Sequence, residues 1–396
     1  VTLKRASLSD ARRIAFVCLY EAWPPVTGAA SVTVNCARFS SGEIFLVQLG
    51  ESTNVCGYTP VRVIGVRGPQ GRFSKLPAFP GIAAQIARVC KRLNPDVVVL
   101  EGASWAVYLA VLMMALRRLL RASVIVYHAH NVEFLLRRAR YGAPLAWLTR
   151  PAEAYLFRRA DLPLVVSKVD QRHVEALYGV QPSILPNGVD YETFAKVSRE
   201  LARATARRYA ISNFALLFMG AYDYPPNREA IDLLARTVLP RLLRDQPGVQ
   251  LVVTGGDVPY AAPWLRGLGR VPIEELPAVV AACRIGVAPI HQGSGTRLKV
   301  LEYMAAGLPV VASRKAVEGL DLVPGRDFLL AESAGETVEA VRRVLGDPGL
   351  AQRLATAGQV FVERSYSWPA LVRRFEREVD GLLRASQAVR SGKPRR

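Results

Sequence analysis

The sequence predicts an α/β fold of two Rossmann-like, doubly wound domains facing across a cleft. Three observations predict it. The chain has 396 residues, 51% of them hydrophobic, which is material for two or three packed cores at roughly 150 residues each. Short β-branched runs alternate with stretches of helical spacing, the pattern of a parallel sheet covered on both faces. The alternation breaks once, over the polar stretch Tyr191 to Tyr209, and then resumes. The expected divisions are a first domain at 1–190, a second at 191–368, and a terminal helix with a basic tail at 369–396.

The elements follow in order. Ile14 to Leu19 reads as a buried strand, followed by a loop with Pro24, Pro25 and Gly28 and a helix near Ser31 to Phe39. Ile44 to Leu49, Val61 to Val66 and Val97 to Leu100 read as strands, with a helix at Ile82 to Leu93 ended by Asn94-Pro95. Ser104 is an N-cap candidate for the next helix. Val124 to Tyr127 is a strand, Leu145 to Arg159 a helix, Leu164 to Val166 a strand, Gln171 to Tyr178 a helix and Ser183 to Leu185 a strand. After the break, Ala215 to Met219, Val249 to Val253, Ile285 to Ala288 and Val310 to Ala312 read as strands. Helices are expected at Glu229 to Leu243, Ile273 to Cys283, Leu298 to Ala306, and through most of Glu336 to Arg384.

Composition narrows the function. A net charge of +19 attracts phosphate in some form. No zinc-finger spacing, ribonucleoprotein motif or helix-turn-helix signature is present, so nucleic acid is not expected. The five cysteines are scattered without a Cys-x-x-Cys pair, as free buried thiols of a reducing compartment would be. The opening VTLKRASLSDARR is polar and basic, so no signal peptide is expected. The longest uncharged stretch, Ala103 to Leu116, is short of the ~20 residues that span a bilayer. It reads as a core helix or, with Arg117, Arg118 and Arg121 following, as an interfacial one.

The densest chemistry lies in GVAPIHQGSGTRLKVLEYMAAGLPVVAS, Gly286 to Ser313. A strand ends near Pro289, Gly293-Ser294-Gly295 forms a loop, a helix opens near Thr296 or Arg297, and Gly307 and Pro309 return the chain to a strand. The unpaired N–H groups and dipole of a helix start favour an anion. Gly293 and Gly295 let backbone approach a diphosphate. Arg297 and Lys299 put full positive charge where the dipole disfavours it, which an outside anion would offset. Glu302 either pairs with Lys299 along the helix or accepts two hydrogen bonds from a ribose diol.

This segment resembles the donor-binding signature of retaining GT-B glycosyltransferases of family 4. Glu302 matches the last Glu of that family's Glu-x7-Glu motif, and Met304 to Val311, MAAGLPVV, matches the run that follows. Leu185 to Asp190, LPNGVD, resembles the family's hinge, and Phe218-Met219-Gly220 through Pro226-Asn227 the start of its second domain. The resemblance implies a GT-B fold, a nucleoside-diphosphate sugar as co-substrate with no other cofactor, retention of configuration and no metal. It implies donor binding by the 191–368 domain, with Gly220, Asn227, Gly255, Ser294, Gly295, Thr296, Arg297, Lys299 and Glu302. It also implies that the final helix crosses back to the first domain.

The chain departs from the family in two places. The first Glu of the motif is Ser294, and the usual basic pair after Gly220 is replaced within AYDYPPNREA. Arg228, Arg297 and Lys299 are the candidates to replace that charge. In the first domain, Pro25, Gly28 and Ala29 resemble the loop near the donor phosphate, with Ala29 where a second Gly stands. His130 is implied as the catalytic His, preferred over His128; Glu133 could orient it or pair with Arg137. The expected acceptor is a hydroxyl of a glycan or of a lipid-linked glycan. Arginines clustered between Arg117 and Arg159 suggest an anionic membrane surface and a cytoplasmic protein, peripheral at the inner face. A sugar-nucleotide epimerase of the same fold, or a non-catalytic binding subunit, are the alternatives.

Overall fold

The computed structural model describes residues 12–25, 27–51, 61–68, 75–102, 106–141, 143–292 and 298–390. The chain forms two compact units: Val1–Pro186 with Leu371–Arg396, and Asn187–Ala370. Ser104, Gly293 to Arg297 and the basic tail after Arg390 lie outside the described residues.

Unit 1 runs β1 (Arg13–Val17), α1 (Gly28–Phe39), β2 (Glu43–Leu49), β3 (Val61–Val66), α2 (Lys75–Leu93), β4 (Val97–Glu101) and α3 (Ala106–Leu119). It continues through β5 (Val124–Ala129), α4 (Glu133–Tyr141), α5 (Ala143–Arg159), β6 (Leu162–Val165), α6 (Lys168–Tyr178) and β7 (Ser183–Ile184). The seven strands lie in the order β3-β2-β1-β4-β5-β6-β7, all pairs parallel. The order reverses between β1 and β4, the switch point where open α/β sheets place their ligands. β1, β4 and β5 are buried almost throughout, which is why they read as unbroken apolar runs.

Unit 2 opens with α7 (Tyr191–Ala195) and α8 (Arg199–Tyr209), in the stretch that reads as a connection. Asp190 and Ser198 cap these two polar helices, each accepting from a backbone N–H three residues on. There follow β8 (Phe214–Met219), α9 (Pro225–Leu233), a π turn at Leu234–Val238, α10 (Leu239–Leu242), β9 (Val249–Thr254), β10 (Leu265–Gly267), α11 (Leu276–Ala281) and β11 (Ile285–Ala288). α12 (Leu298–Ala305), β12 (Val310–Ala312), β13 (Leu329–Leu330), α13 (Ala334–Gly346) and α14 (Pro348–Ser365) complete it. The sheet order is β10-β9-β8-β11-β12-β13, all parallel, with its switch point between β8 and β11.

α15 (Trp368–Arg390) belongs to unit 1 from Leu371 onward. Arg12 ion-pairs with Glu376 and, at 2.5 Å, with Asp380, and Ser41 donates its N–H and hydroxyl to Glu376 at 2.7 Å each.

Several boundaries differ from the sequence reading. α1 begins at Gly28 because Thr27 is its N-cap, accepting from Ala30 N at 3.2 Å. The helix expected at Glu229 to Leu243 is broken by the π turn before Pro240, whose missing N–H disrupts the regular ladder. α4 and the edge strands β10 and β13 have no counterpart in that reading.

Gly286 shows how tightly unit 2 is packed. A Cβ there would lie 2.4 Å from Cδ2 of Tyr303, a fully buried ring whose hydroxyl accepts from Met219 N at 2.7 Å. Gly286→Ala is expected to cost about 1–3 kcal/mol by overpacking. A thermal melt checks this, and an unchanged midpoint would mean that Tyr303 has room to move.

Candidate functional site

In unit 2 the site residues gather at the carboxyl end of β8. Gly220 follows that strand with φ 154°, and Gly255 follows β9 with φ 114°. Gly220 donates its N–H to Thr254 O at 2.7 Å. A Cβ on Gly220 would lie 2.6 Å from Asn227 Nδ2, and one on Gly255 2.9 Å from the Gly220 carbonyl carbon. Both positions need glycine, for conformation and for space. Asn227, buried on the first turn of α9, donates Nδ2 to Ala221 O at 3.0 Å. Its Oδ1 accepts from Lys299 Nζ at 2.9 Å. The Lys299 ammonium also lies 4.2 Å from the centroid of the Phe218 ring, a cation–π contact.

Lys299 is thereby held from α12 across to α9 and β8, with its charge beside two close-packed glycine turns. Glu302 stands three residues along α12, half-buried. Burial pushes its carboxyl up to about 7, against the opposing pull of Lys299. A desolvated carboxyl beside a fixed cation can hold a vicinal diol while the cation meets phosphate.

The structure thus brings Gly220, Asn227, Gly255 and Lys299 together. It sets Arg228 apart from that group: its Nε donates to Tyr222 O at 3.4 Å and its guanidinium covers the Tyr222 ring at 5.5 Å. Ser294, Gly295, Thr296 and Arg297 lie outside the described residues.

In unit 1, β4 and β5 pair in a register that places Glu101 beside His128. His128 is the penultimate residue of β5, inside the strand rather than after it as its sequence position suggested; His130 follows the strand. Glu101 Oε2 accepts from both rings, His128 Nδ1 at 3.1 Å and His130 Nε2 at 2.5 Å. The ring centroids are 4.8 Å apart. Burial pushes the Glu101 carboxyl up, but the two histidines together outweigh it and hold it at about 2. Among the described residues these three form the one His, Cys or carboxylate cluster with donor atoms close enough, within 4.8 Å, to share an ion. Two of those donors already face the same carboxylate oxygen, so hydrogen bonding accounts for the grouping.

Glu133, a sequence candidate for orienting His130, is committed elsewhere. It ion-pairs with Arg137 and accepts from Ala106 N at 2.5 Å, because it opens α4 and faces the start of α3. Burial pushes it up to about 7 against Arg137. The buried Glu153 of α5 caps α4, accepting from Glu133 N at 2.7 Å and Phe134 N at 3.0 Å, with Tyr178 Oη at 2.6 Å. Nothing in local spacing announces Glu101 or Glu153. Each acts on residues more than fifteen positions away, through pairings only the folded sheet creates.

Pro25, Gly28 and Ala29 surround the start of α1. Gly28 is exposed with open space where a Cβ would sit, and the first turn carries no acidic residue. Cys18, Cys36 and Cys90 are buried free thiols and Cys283 a partly buried one. A separate open groove of about 790 Å³ lies along α14 near Arg326, Arg353 and Arg364 and contains none of these residues.

Two family models match the chain. One described as "Glycosyltransferase Family 4" covers residues 34–193, and one described as "Glycosyl transferases group 1" covers 213–347. A phosphatidyl-myo-inositol mannosyltransferase of Mycobacterium tuberculosis is 28% identical over 54% of this chain and 58% of its own length, so the match spans little more than half of that relative. The sulfoquinovosyl transferase SQD2 of Arabidopsis thaliana is 25% identical over 94% of this chain and 74% of its own length. Among solved structures, a sucrose-phosphate synthase of Thermosynechococcus elongatus superposes with TM-score 0.70 at 18% identity, covering 94% of this chain and 100% of that one. Anabaena HepE in complex with UDP and glucose superposes with TM-score 0.66 at 16% identity, covering 93% and 99%. With one model on each unit and the GT-B fold in both sheets, the chain belongs to the family 4, group 1 glycosyltransferases.

Proposed function

We propose that the protein transfers a sugar from a nucleoside-diphosphate sugar to a hydroxyl of a glycan or lipid-linked acceptor, with retention of configuration and without a metal, in synthesis of a cell-surface polysaccharide or glycolipid. The observation that carries this reading is the Gly220–Asn227–Gly255–Lys299 group with the half-buried Glu302 one turn along α12. Charge grows on the diphosphate as the leaving group departs. Lys299 and the start of α12 answer it with fixed positive potential. Glu302 accepts from the ribose diol. His130 serves the sugar and acceptor hydroxyls through its free ring edge. No carboxylate stands out in the sequence as an obvious nucleophile, so same-face attack through an oxocarbenium-like state suits retention. A thermal-shift screen of nucleoside diphosphates tests donor binding and names the base. No shift with any of them, together with Ser294 in the motif, would favour a partner subunit without turnover.

The acceptor side points to lipid at an anionic, cytoplasmic membrane face. α3 and α5 are neighbours, joined near their carboxyl ends by Arg117–Asp161 at 2.8 Å. Val111 and Met114 on α3 and Trp147 and Leu148 on α5 are exposed, the Trp by 64%. Arg118, Arg138, Arg158 and Arg159 are exposed on the same helices and α4. The two carboxylates of these helices, Glu133 and Glu153, are both buried. Exposed apolar residues with arginines, and no exposed acid on the three helices themselves, fit an anionic bilayer. No described helix is long and apolar enough to cross a membrane. Flotation with phosphatidylglycerol vesicles should show salt-sensitive binding, reduced at least ~10-fold in a Trp147→Ala, Leu148→Ala variant. No binding at low salt would sink the membrane assignment.

A further inference from the structure

We propose that Glu101 is the positioning residue of this site: a single oxygen of its buried carboxylate fixes both His128 and His130, so that His130 meets substrate through Nδ1. The proposal rests on the reading of His130 as a residue of the reacting centre.

The fold puts the carboxylate there. β4 and β5 are parallel neighbours with Glu101 in register with His128. Gly102 closes β4 against β5, donating its N–H to His128 O at 2.7 Å. A Cβ on Gly102 would lie 2.7 Å from that same oxygen, so the end of β4 cannot hold a larger residue without backing away. The Glu101 side chain is fully buried, His128 is 1% exposed and His130 8%.

The chemistry follows from the donor inventory. An ionised carboxylate only accepts, so each ring nitrogen facing Oε2 carries a hydrogen. His128 is therefore an Nδ1–H donor. Its Nε2 is buried with no hydrogen-bond partner, which suits a lone pair better than an N–H. His130 is an Nε2–H donor, leaving Nδ1 for substrate. In the neutral ring Nδ1 accepts a hydroxyl proton. In the charged ring it donates, with Glu101 as counter-charge.

The arrangement is costly for a purely structural role. The other carboxylate oxygen, Glu101 Oε1, is buried without a partner, and an apolar residue would fill the space with no such penalty. A shared carboxylate does what an apolar side chain cannot: it sets the tautomer and charge of the ring at the strand end. The low position of the Glu101 carboxyl, held by the two histidines against burial, agrees with this.

The test uses the full chain, Glu101→Gln and Glu101→Asp, with UDP-glucose and GDP-mannose as donor probes. In Glu101→Gln, kcat is expected to fall about 10- to 100-fold, as for loss of an outer partner of a working histidine, with donor KM nearly unchanged. The kcat–pH profile should also move, because a neutral amide replaces the ionised carboxylate that accepts from both rings. Glu101→Asp should restore the profile and part of kcat. Imidazole ¹⁵N spectra should show the wild-type His130 as the Nε2–H tautomer and a redistributed population in Glu101→Gln. An unmoved profile with a change confined to KM or to melting would overturn the proposal. So would an Nδ1–H tautomer of His130 in the wild type, or one equivalent of Zn²⁺ bound by the wild type and lost in Glu101→Gln. If Glu101→Gln does not fold, the wild-type spectrum decides alone. A wild type that turns over neither donor counts against the transferase reading, and the spectrum still decides the tautomer.

Discussion

Glu302→Ala is expected to weaken nucleoside-diphosphate-sugar binding on the order of 100-fold and to abolish the donor-induced rise in melting temperature. Two hydrogen bonds from a ribose diol to a charged acceptor, at ~1.5–3 kcal/mol each, set that scale. The affinity should also depend on pH. Burial raises this carboxyl to about 7 despite Lys299. Diol hydroxyls donate best to the ionised form, so affinity should climb as pH rises through about 7 and level off above it. Stability without donor runs the other way. Between the ordinary value of 4.5 and about 7 the folded state keeps a proton that the unfolded chain has lost, so stability falls as pH rises through that window. Glu302→Gln keeps the shape and should flatten both slopes. Thermal shifts with UDP- and GDP-sugars across this pH range check all of this; an unchanged shift in Glu302→Ala takes the residue out of the donor site.

The fold was legible where burial was two-sided and illegible where elements were too short to show a period. β1, β4 and β5 are apolar at nearly every position because helices cover both faces. β13 has two residues and β10 three, at the edges of their sheet, and no alternation can be read from so few. α4, EFLLRRARY, is polar enough to pass for a loop, and its start depends on Glu153 in another helix. Gly220, Gly255 and Lys299 could be picked out as candidates because glycines at strand-end turns and a lysine at a helix start each suit one job, and the structure brings these three together. Asn227 as the partner of Lys299 is a contact across 72 positions. Glu101 ends the apolar run VVVLE and looks in sequence like the polar end of a strand. Only the register of β4 on β5 gives it two histidines. Sequence left Glu133 two roles, orienting His130 or pairing with Arg137 four residues on; the structure shows the helical pair, and that pairing keeps it from His130.

His130→Ala should lower kcat ~10²- to 10⁴-fold, the range for removing a positioned proton-transfer group, while the donor-induced thermal shift from unit 2 persists. The same change leaves the buried Glu101 with one ring partner instead of two. Burial disfavours that carboxylate, and the histidines together hold its carboxyl at about 2. A carboxyl depressed in the folded state stabilises the protein above the ordinary carboxylate range, and that contribution is lost as pH falls from about 4.5 toward about 2. With one ring gone the contribution shrinks, so the midpoint of acid unfolding should move to higher pH. The two readouts separate the two roles. A lower kcat with an intact donor shift places His130 in the chemistry. A raised acid midpoint with an unchanged kcat would make it only a partner of Glu101, and the reacting centre would have to be sought elsewhere in unit 1.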